Sequence, residues 1–103
     1  MSTIQAIDES QPGLAAEFSQ AARAELLTAR SSHSYQHWII QYLSYFNMRN
    51  PKTLTENNVR EFLKYLDGKM QLSKARLNQA REAVLFLYEK VLHKPLVASE
   101  IYI

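Results

Sequence analysis

Residues 73–92 read SKARLNQAREAVLFLYEKVL, a segment that is basic and polar where it starts and apolar where it ends. Six of its residues fall on one face of a helical wheel, and this spacing predicts an amphipathic helix over about 74–92. These residues are Leu77, Ala80, Val84, Leu87, Tyr88 and Val91. Ser73, a favoured N-cap residue, precedes the helix, and Pro95 follows it. The segment is therefore predicted to be the last helix of a helical domain, with this face in the core.

The two preceding segments show the same kind of pattern. Residues 32–47 carry large apolar side chains at i, i+3, i+4, i+7, i+8 and i+11, which form one stripe along a second helix. The stripe consists of Tyr35, Trp38, Ile39, Tyr42, Leu43 and Phe46. Pro51 lies beyond the end of this helix, where it prevents continuation. Thr55 is expected to cap a third helix over about 56–67, and Gly68 to adopt the left-handed conformation just past it.

A first helix is predicted over about 14–29, because apolar residues recur there at three- and four-residue spacing. They are Ala15, Phe18, Ala22, Leu26 and Ala29. The serine-rich residues 30–34 are expected to interrupt it. Residues 1–13 are predicted to be a disordered tail ending in a Pro-Gly breaker, residues 14–96 the folded domain, and residues 97–103 the start of a linker. The predicted fold class is all-α, a compact domain of four helices joined by short turns.

The composition supports one folded domain and excludes several classes of protein. Hydrophobic residues make up 47% of the chain and charged residues 21%, both near globular averages. Two glycines and three prolines leave little material for the turns of an all-β fold. The absence of cysteine excludes disulfides, thiolate zinc sites and cysteine nucleophiles. With neither a long apolar run nor a signal-peptide pattern, the protein is predicted to be cytoplasmic, without membrane contact.

The net charge of +2 is unevenly distributed along the chain. Residues 1–28 contain four acidic residues and one arginine, a local net charge of −3. Residues 29–103 contain eleven lysines and arginines and six acidic residues, a local net charge of +5. This asymmetry makes the second part a candidate for binding a polyanion. A lysine-rich solvated helical surface is an equally good interpretation of the charge alone.

The start of the fourth helix favours an anionic partner. Unpaired backbone N–H groups and the positive end of the helix dipole attract phosphate. Lys74 and Arg76 in the first turn are repelled by the positive end of the helix dipole. Their presence there indicates that an anionic partner binds at this helix start. The apolar second half would anchor the helix in the core and hold its start outward. Such a helix start suits a nucleic-acid backbone or groove.

No catalytic, cofactor or metal site is predicted. His33 and His37 stand at i, i+4 and could present two imidazoles on one face, but a zinc site needs a third ligand and the sequence supplies none nearby. Two glycines 55 positions apart exclude a glycine-rich phosphate loop. His93 is expected to interact with the C-terminal dipole of the last helix. Cofactors are therefore expected to be absent.

Three large apolar side chains do not fit the predicted core stripes. Phe86 lies nearly opposite Val84 on the wheel of the fourth helix, and Ile40 and Tyr45 lie off the stripe of the second. Exposed groups of this size indicate a contact surface. The three residues are therefore candidates for contact with another domain, with another subunit, or with a helix of this domain whose position is assigned wrongly here.

The pattern of residues in the last three helices is similar to that of a known family. Tyr35, Trp38-Ile39, Tyr42-Leu43 and Phe46 are followed by Pro51, Leu54-Thr55, Val59, Phe62-Leu63 and Leu66, and then by Ser73, Asn78-Gln79-Ala80, Ala83 and LFLYEKVL. This pattern resembles the core-binding (SAM-like) N-terminal domain of tyrosine recombinases, the phage and integron integrases. The resemblance covers about residues 26–96.

The resemblance implies two crossed helical hairpins that clamp duplex DNA at a recombination site. The second and fourth helices would face the DNA, and the first would pack on a neighbouring recombinase protomer or on the catalytic domain of the same parent chain. Ser31 stands where the family usually has a phosphate-binding threonine, and Arg76 where it frequently has threonine. The residues implied to contact DNA are Ser31, Ser34, His37, Gln41, Ser73, Lys74, Arg76, Asn78 and Arg81.

Two departures from the family limit the expected activity. Residues 1–25 do not match, and the catalytic domain with its arginines, histidine and tyrosine nucleophile is expected after the linker and is not in this chain. Tyr102 lacks the motif of that nucleophile, so this chain is predicted not to cleave DNA. We therefore expect a DNA-binding module of a recombinase. The alternatives are a helical protein-interaction module without significant DNA affinity and a truncated integrase that competes for recombination sites.

Overall fold

The fold is described by a computed structural model that covers residues 7–97 and residue 101. The four helices are α1 (Leu14–Ala24), α2 (Ala29–Tyr45), α3 (Glu56–Gly68) and α4 (Lys74–Phe86). A short 3₁₀ turn, Pro51–Thr53, precedes α3, and α4 continues as a wider π-helical turn, Leu87–Val91. No strand occurs within the described residues. The all-α prediction is confirmed.

The core lies between α2 and α4, and α3 and α1 close it from two sides. All six residues of the predicted α4 stripe are buried, because the wheel of an amphipathic helix turns its apolar face inward. The α2 stripe is buried as well, except for half-buried Tyr35. Thr55 and Ser73 cap α3 and α4 as predicted. Gly68 is the last residue of α3, and the left-handed conformation occurs instead at Gln71, φ 53°.

The boundary between the first two helices differs from the prediction. The helix α1 ends at Ala24, and Leu26 adopts the left-handed conformation with φ 57° while its side chain is 87% exposed. The N–H of Leu27 donates to the carbonyl of Ala22 (3.0 Å), which closes a Schellman turn. The apolar spacing through Leu26 and Ala29 suggested one continuous helix, but backbone reversal at Leu26 turns that side chain away from the core.

The helix α2 begins three residues earlier than predicted. The side-chain oxygen of Thr28 accepts the N–H of Ser31 at 3.0 Å and so caps the helix. The serines of residues 30–34 are therefore inside α2 rather than in a break between helices. Threonine, like serine, is a favoured N-cap residue, although serine is the stronger of the two, and the prediction considered only the serines.

Part of the predicted N-terminal tail packs on the domain. Ile7 is fully buried in the core, and the hydroxyl of Ser10 donates to the Ile7 carbonyl at 2.7 Å. The carboxylate of Asp8 accepts the N–H of Ala15 at 2.7 Å and caps α1. The structure differs from the predicted disordered tail over residues 7–13, where one apolar residue and one carboxylate contact the domain. Residues 1–6 lie outside the described residues.

The segment predicted to begin a linker also contacts the domain. The Val97 N–H donates to the Glu56 carboxylate at 3.1 Å, and Ile101 is buried. The Lys94 ammonium donates to the carbonyl of Lys52 at 2.8 Å. The chain beyond the π-helical turn therefore returns along the start of α3. Residues 98–100 and 102–103, including Tyr102, lie outside the described residues.

Candidate nucleic-acid interface

The starts of α2 and α4 are both capped and both free of carboxylates. The Arg76 N–H donates to the Ser73 hydroxyl at 3.3 Å, as the Ser31 N–H does to Thr28 at the start of α2. Neither helix carries an acidic residue in its first turn. The positive dipole ends are therefore left without a neutralising side chain of their own, a condition that favours an external anion.

The polar residues predicted on α2 share one stripe, in which His37 and Gln41 are exposed and Ser31 and Ser34 are half-buried. Their spacing of three and four residues places them on one face of the helix, which runs from the Thr28 cap to the middle of α2. They are Ser31, Ser34, His37 and Gln41. Arg30, an exposed cation in the first turn, precedes Ser34 by four residues and so adds a positive charge to the same face. The sequence prediction missed Thr28 and Arg30 because it began the helix too late.

A cation–π contact joins α4 to this stripe. The Arg76 guanidinium carbon lies 5.4 Å from the centroid of the Trp38 indole, within the range of attraction between a cation and an aromatic face. Trp38 is only 3% exposed, whereas Arg76 is exposed. The contact therefore brings the start of α4 against the middle of α2, roughly 10 Å along α2 from Ser31.

His37 and Gln41 extend the contact along α2. The imidazole of His37 meets the Trp38 indole edge to face, with centroids 5.5 Å apart and planes inclined by 70°. The Gln41 amide nitrogen lies 3.2 Å from Nε2 of His37. Arg76 and His37 thus both contact Trp38, and Gln41 contacts His37. The sequence pattern assigned Trp38 to the core. The core assignment is confirmed, but nothing in the spacing of the apolar residues indicated that a cation would cover the indole.

The remaining predicted residues of α4 are paired along the helix. The Asn78 amide donates to the Glu82 carboxylate at 3.3 Å and accepts a hydrogen bond from the guanidinium of half-buried Arg81. Lys74, the first residue of α4, has an exposed side chain. Lys74 and Arg76 are therefore the exposed cations at the start of α4.

Comparison with known proteins gives the family. Residues 14–98 match the family model of the phage integrase N-terminal SAM-like domain. The chain belongs to this family. Two proteins named integrase/recombinase, from Escherichia coli and Pseudomonas aeruginosa, are each 35% identical to it over 63 residues, which is 61% of this chain and 19% of the relative. The matched stretch thus spans about a fifth of the length of these curated relatives. The resemblance seen in the sequence is confirmed.

One of the three protein-contact candidates in this SAM-like domain is not exposed. Phe86 is 8% exposed and contacts Phe18 of α1 and Tyr35 of α2, with ring centroids 5.6 and 5.2 Å apart. The predicted exposure was wrong, because α1 covers the side of α4 that faces away from the main core stripe. Burial, and then the nearby Glu82 carboxylate, raise the pKa of the Tyr35 hydroxyl.

The other two candidates, Ile40 and Tyr45, are half-buried at the edge of the core. The Tyr45 ring contacts those of Phe46 and Tyr65, each with centroids 4.9 Å apart. Tyr45 also lines a shallow 440 Å³ pocket with the end of α3. Their predicted role as protein contacts stays a prediction.

A buried hydrogen-bonded chain fixes α2 relative to the end of α4 in the SAM-like domain. The Tyr88 hydroxyl donates to the Pro51 carbonyl at 2.8 Å, so it accepts the hydrogen of Tyr42 across their 2.8 Å contact. Burial raises the pKa of Tyr88 to about 12. Burial, and then the neighbouring Tyr88, raise the pKa of Tyr42 further still. Both hydroxyls are therefore neutral at physiological pH, and their role is structural.

The region around the end of α4 differs in charge from the start of that helix. A groove of about 660 Å³ lies between α1 and the π-helical turn. It is lined by Glu17, Gln20, Ala21, Ala24, Glu25, Lys52, Glu89, Lys90, Val91, Leu92 and His93. Lys90 pairs with Glu25 across it at 3.5 Å. The groove therefore has mixed charge.

Residues 7–97 and 101 contain neither a cluster of metal ligands nor a membrane-spanning helix. No group of three or more potential metal ligands of the His, Cys, Asp and Glu types occurs among them. None of their helices is both long and apolar enough to cross a membrane.

Proposed function

We propose that this domain is the DNA-binding, core-binding domain of a site-specific tyrosine recombinase, and that it clamps duplex DNA at the recombination site. The observation that carries the proposal is the contact between Arg76 and Trp38. It unites the start of α4 with the polar stripe of α2, and so provides one surface with exposed cations and capped helix starts.

Phosphate contacts would supply most of the affinity. Lys74 and Arg76 offer charge, and the first turns of α2 and α4 offer oriented N–H groups, which together position a protein on the DNA backbone. His37 and Gln41 on the stripe are candidates for partial reading of base edges. The Asn78 side-chain amide donates to Glu82 and accepts a hydrogen bond from Arg81, both on α4. Asn78 would have to exchange these partners to read a base.

The names of the relatives support a parent protein that cleaves and rejoins DNA. In such a protein the catalytic domain of the same chain and neighbouring protomers would be the further partners. Leu26, 87% exposed at the turn between α1 and α2, is a candidate for such a protein contact. The same observation favours the second candidate function, a helical protein-interaction module without significant DNA affinity.

Fluorescence anisotropy with a labelled duplex at about 50 and 200 mM salt tests the proposal. We expect binding that weakens steeply between the two concentrations, because each phosphate contact releases counterions. Absence of binding at both concentrations, with the helical fold retained by circular dichroism, would contradict the proposal and favour the protein-interaction module.

A further inference from the structure

Trp38 lies where the core meets the exposed start of α4. Its indole is 3% exposed and belongs to the buried stripe of α2, yet one face lies against the guanidinium of Arg76, 5.4 Å from centroid to Cζ. A guanidinium at this distance is attracted by the negative face of the ring. The arginine is thus held from a helix other than its own.

Arg76 is also fixed at its backbone. Its N–H donates to the Ser73 hydroxyl, so the side chain leaves from a defined position in the first turn of α4. Within residues 7–97 and 101, Arg76 forms no ion pair with a carboxylate. The contact with the indole leaves the N–H donors of the guanidinium available, and these match the paired oxygens of a phosphate.

Arg81 on the same helix provides the contrast. Its guanidinium donates to the Asn78 side chain and is half-buried. The two arginines have the same chemistry, but Arg81 is engaged within α4, whereas Arg76 is exposed at its start and oriented by a neighbouring helix. This difference points to Arg76 as the arginine prepared for an external anion.

We infer that Trp38 is a positioning residue that orders Arg76 before binding, so that the guanidinium edge receives one DNA phosphate as a bidentate acceptor; this rests on the proposed function. Arginine has a long side chain whose rotational freedom is lost on binding. Holding it in one plane in the free protein lowers that loss, which is the advantage of preorganisation. Trp38 itself does not touch the DNA.

The test compares Arg76→Lys and Arg76→Ala with the unmodified 103-residue chain on the same duplex at several salt concentrations. Lysine keeps the charge but lacks the planar fork, so Arg76→Lys is expected to weaken binding about three- to tenfold with an unchanged salt slope. Arg76→Ala is expected to lower the slope by about one as well. Binding of Arg76→Lys equal to that of the unmodified chain would overturn the inference.

Trp38→Phe tests the other side of the contact. Phenylalanine keeps an apolar ring in the core but attracts a cation less strongly, so binding should weaken by about two- to fivefold without a change of slope. Thermal unfolding shows whether Trp38→Phe remains folded. If it does not, Arg76→Lys still tests the contact, because Arg76 is exposed and its replacement should leave the fold intact.

A readout without DNA separates failure of the inference from failure of the proposed function. The chain has one tryptophan, so its fluorescence reports directly on the environment of Trp38. Arg76→Ala should change that emission in the free protein, and unchanged emission would contradict the contact between Arg76 and Trp38. If the unmodified chain shows no DNA binding, the proposed function and the inference both fall; if it binds and Arg76→Lys binds equally well, only the inference falls.

Discussion

Individual residues decide how the ends of the helices behave, and Leu26 is the clearest case. It occupies the position after the C-cap of α1, where glycine or asparagine usually stands because the backbone is left-handed. A leucine there is strained, and its exposed side chain recovers no burial energy within the domain. This residue therefore costs stability in the isolated domain.

Leu26→Gly is expected to raise the free energy of unfolding by about 0.5–1 kcal/mol, because relief of the left-handed strain exceeds the added entropy of the unfolded chain. Urea unfolding measures the change. Leu27→Gly is the matched control: Leu27 is half-buried and its φ is not positive, so the same replacement should destabilise. A loss of stability in Leu26→Gly would show that the side chain has a stabilising contact.

Lys74→Ala is expected to lower DNA affinity for all sequences and to reduce the salt slope by about one, because a phosphate contact at the start of α4 is lost. Anisotropy over a series of salt concentrations measures both quantities. Lys52→Ala removes the same charge beside the groove at the other end of the domain, roughly 25 Å along the α4 axis, and should leave the slope unchanged. Equal slopes in the two variants would remove Lys74 from the interface.

At the scale of elements, the angle between α2 and α4 matters because the proposed interface combines residues of both helices. The contact of Trp38 with Arg76 lies near one end of α4, and the hydrogen-bonded chain of Tyr42, Tyr88 and Pro51 lies near the other. Helices held at two separated points have little freedom to change their crossing. The buried tyrosine pair therefore supports the geometry of the interface without belonging to it.

Tyr88→Phe is expected to destabilise the domain more than Tyr42→Phe. Without the Tyr88 hydroxyl, the Pro51 carbonyl and the Tyr42 hydroxyl both lose their partners in the buried chain, at a cost of ~1–3 kcal/mol. Tyr42→Phe removes one hydrogen bond and leaves Tyr88 bonded to Pro51, which costs ~0.5–1.5 kcal/mol. Urea unfolding of both variants gives the comparison, and the reverse order would contradict this donor direction.

The same pair predicts a loss of stability at alkaline pH. The pKa of Tyr88 is raised to about 12 in the folded domain, from about 10 for unfolded tyrosine. A raised pKa means that the folded state retains the proton longer, so its stabilisation is complete below pH 10 and is lost as the pH rises toward 12. Unfolding free energies measured from pH 8 to 12 should fall less steeply in Tyr88→Phe. Identical pH profiles would show that Tyr88 does not govern this loss.

At the scale of the whole molecule, the acidic N-terminal part packs beside the end of α4 that lies away from Lys74 and Arg76. Ile7 enters the core, α1 packs on the π-helical turn, and Lys90 pairs with Glu25. The acidic Glu25 therefore pairs with a cation of the basic part at the end of α4. This arrangement keeps acidic side chains of α1 away from the start of α4.

Ile7→Ala is expected to lower the free energy of unfolding by about 2–5 kcal/mol, as for a large-to-small change in a core. Chemical denaturation provides the measurement. Glu9→Ala, two residues away and exposed, should be nearly neutral. If Ile7→Ala has no effect either, the N-terminal segment does not pack on the domain in solution.

The all-α class, the apolar faces of α2 and α4, and the caps at Thr55 and Ser73 could all be predicted from the amino-acid pattern. Helical periodicity and capping depend on neighbours within a few residues, so the local sequence contains them. The burial of Phe86 and Ile7 and the contact of Arg76 with Trp38 became visible only in the folded structure. These contacts join residues distant in the chain, and they depend on how the helices cross, which no local pattern specifies.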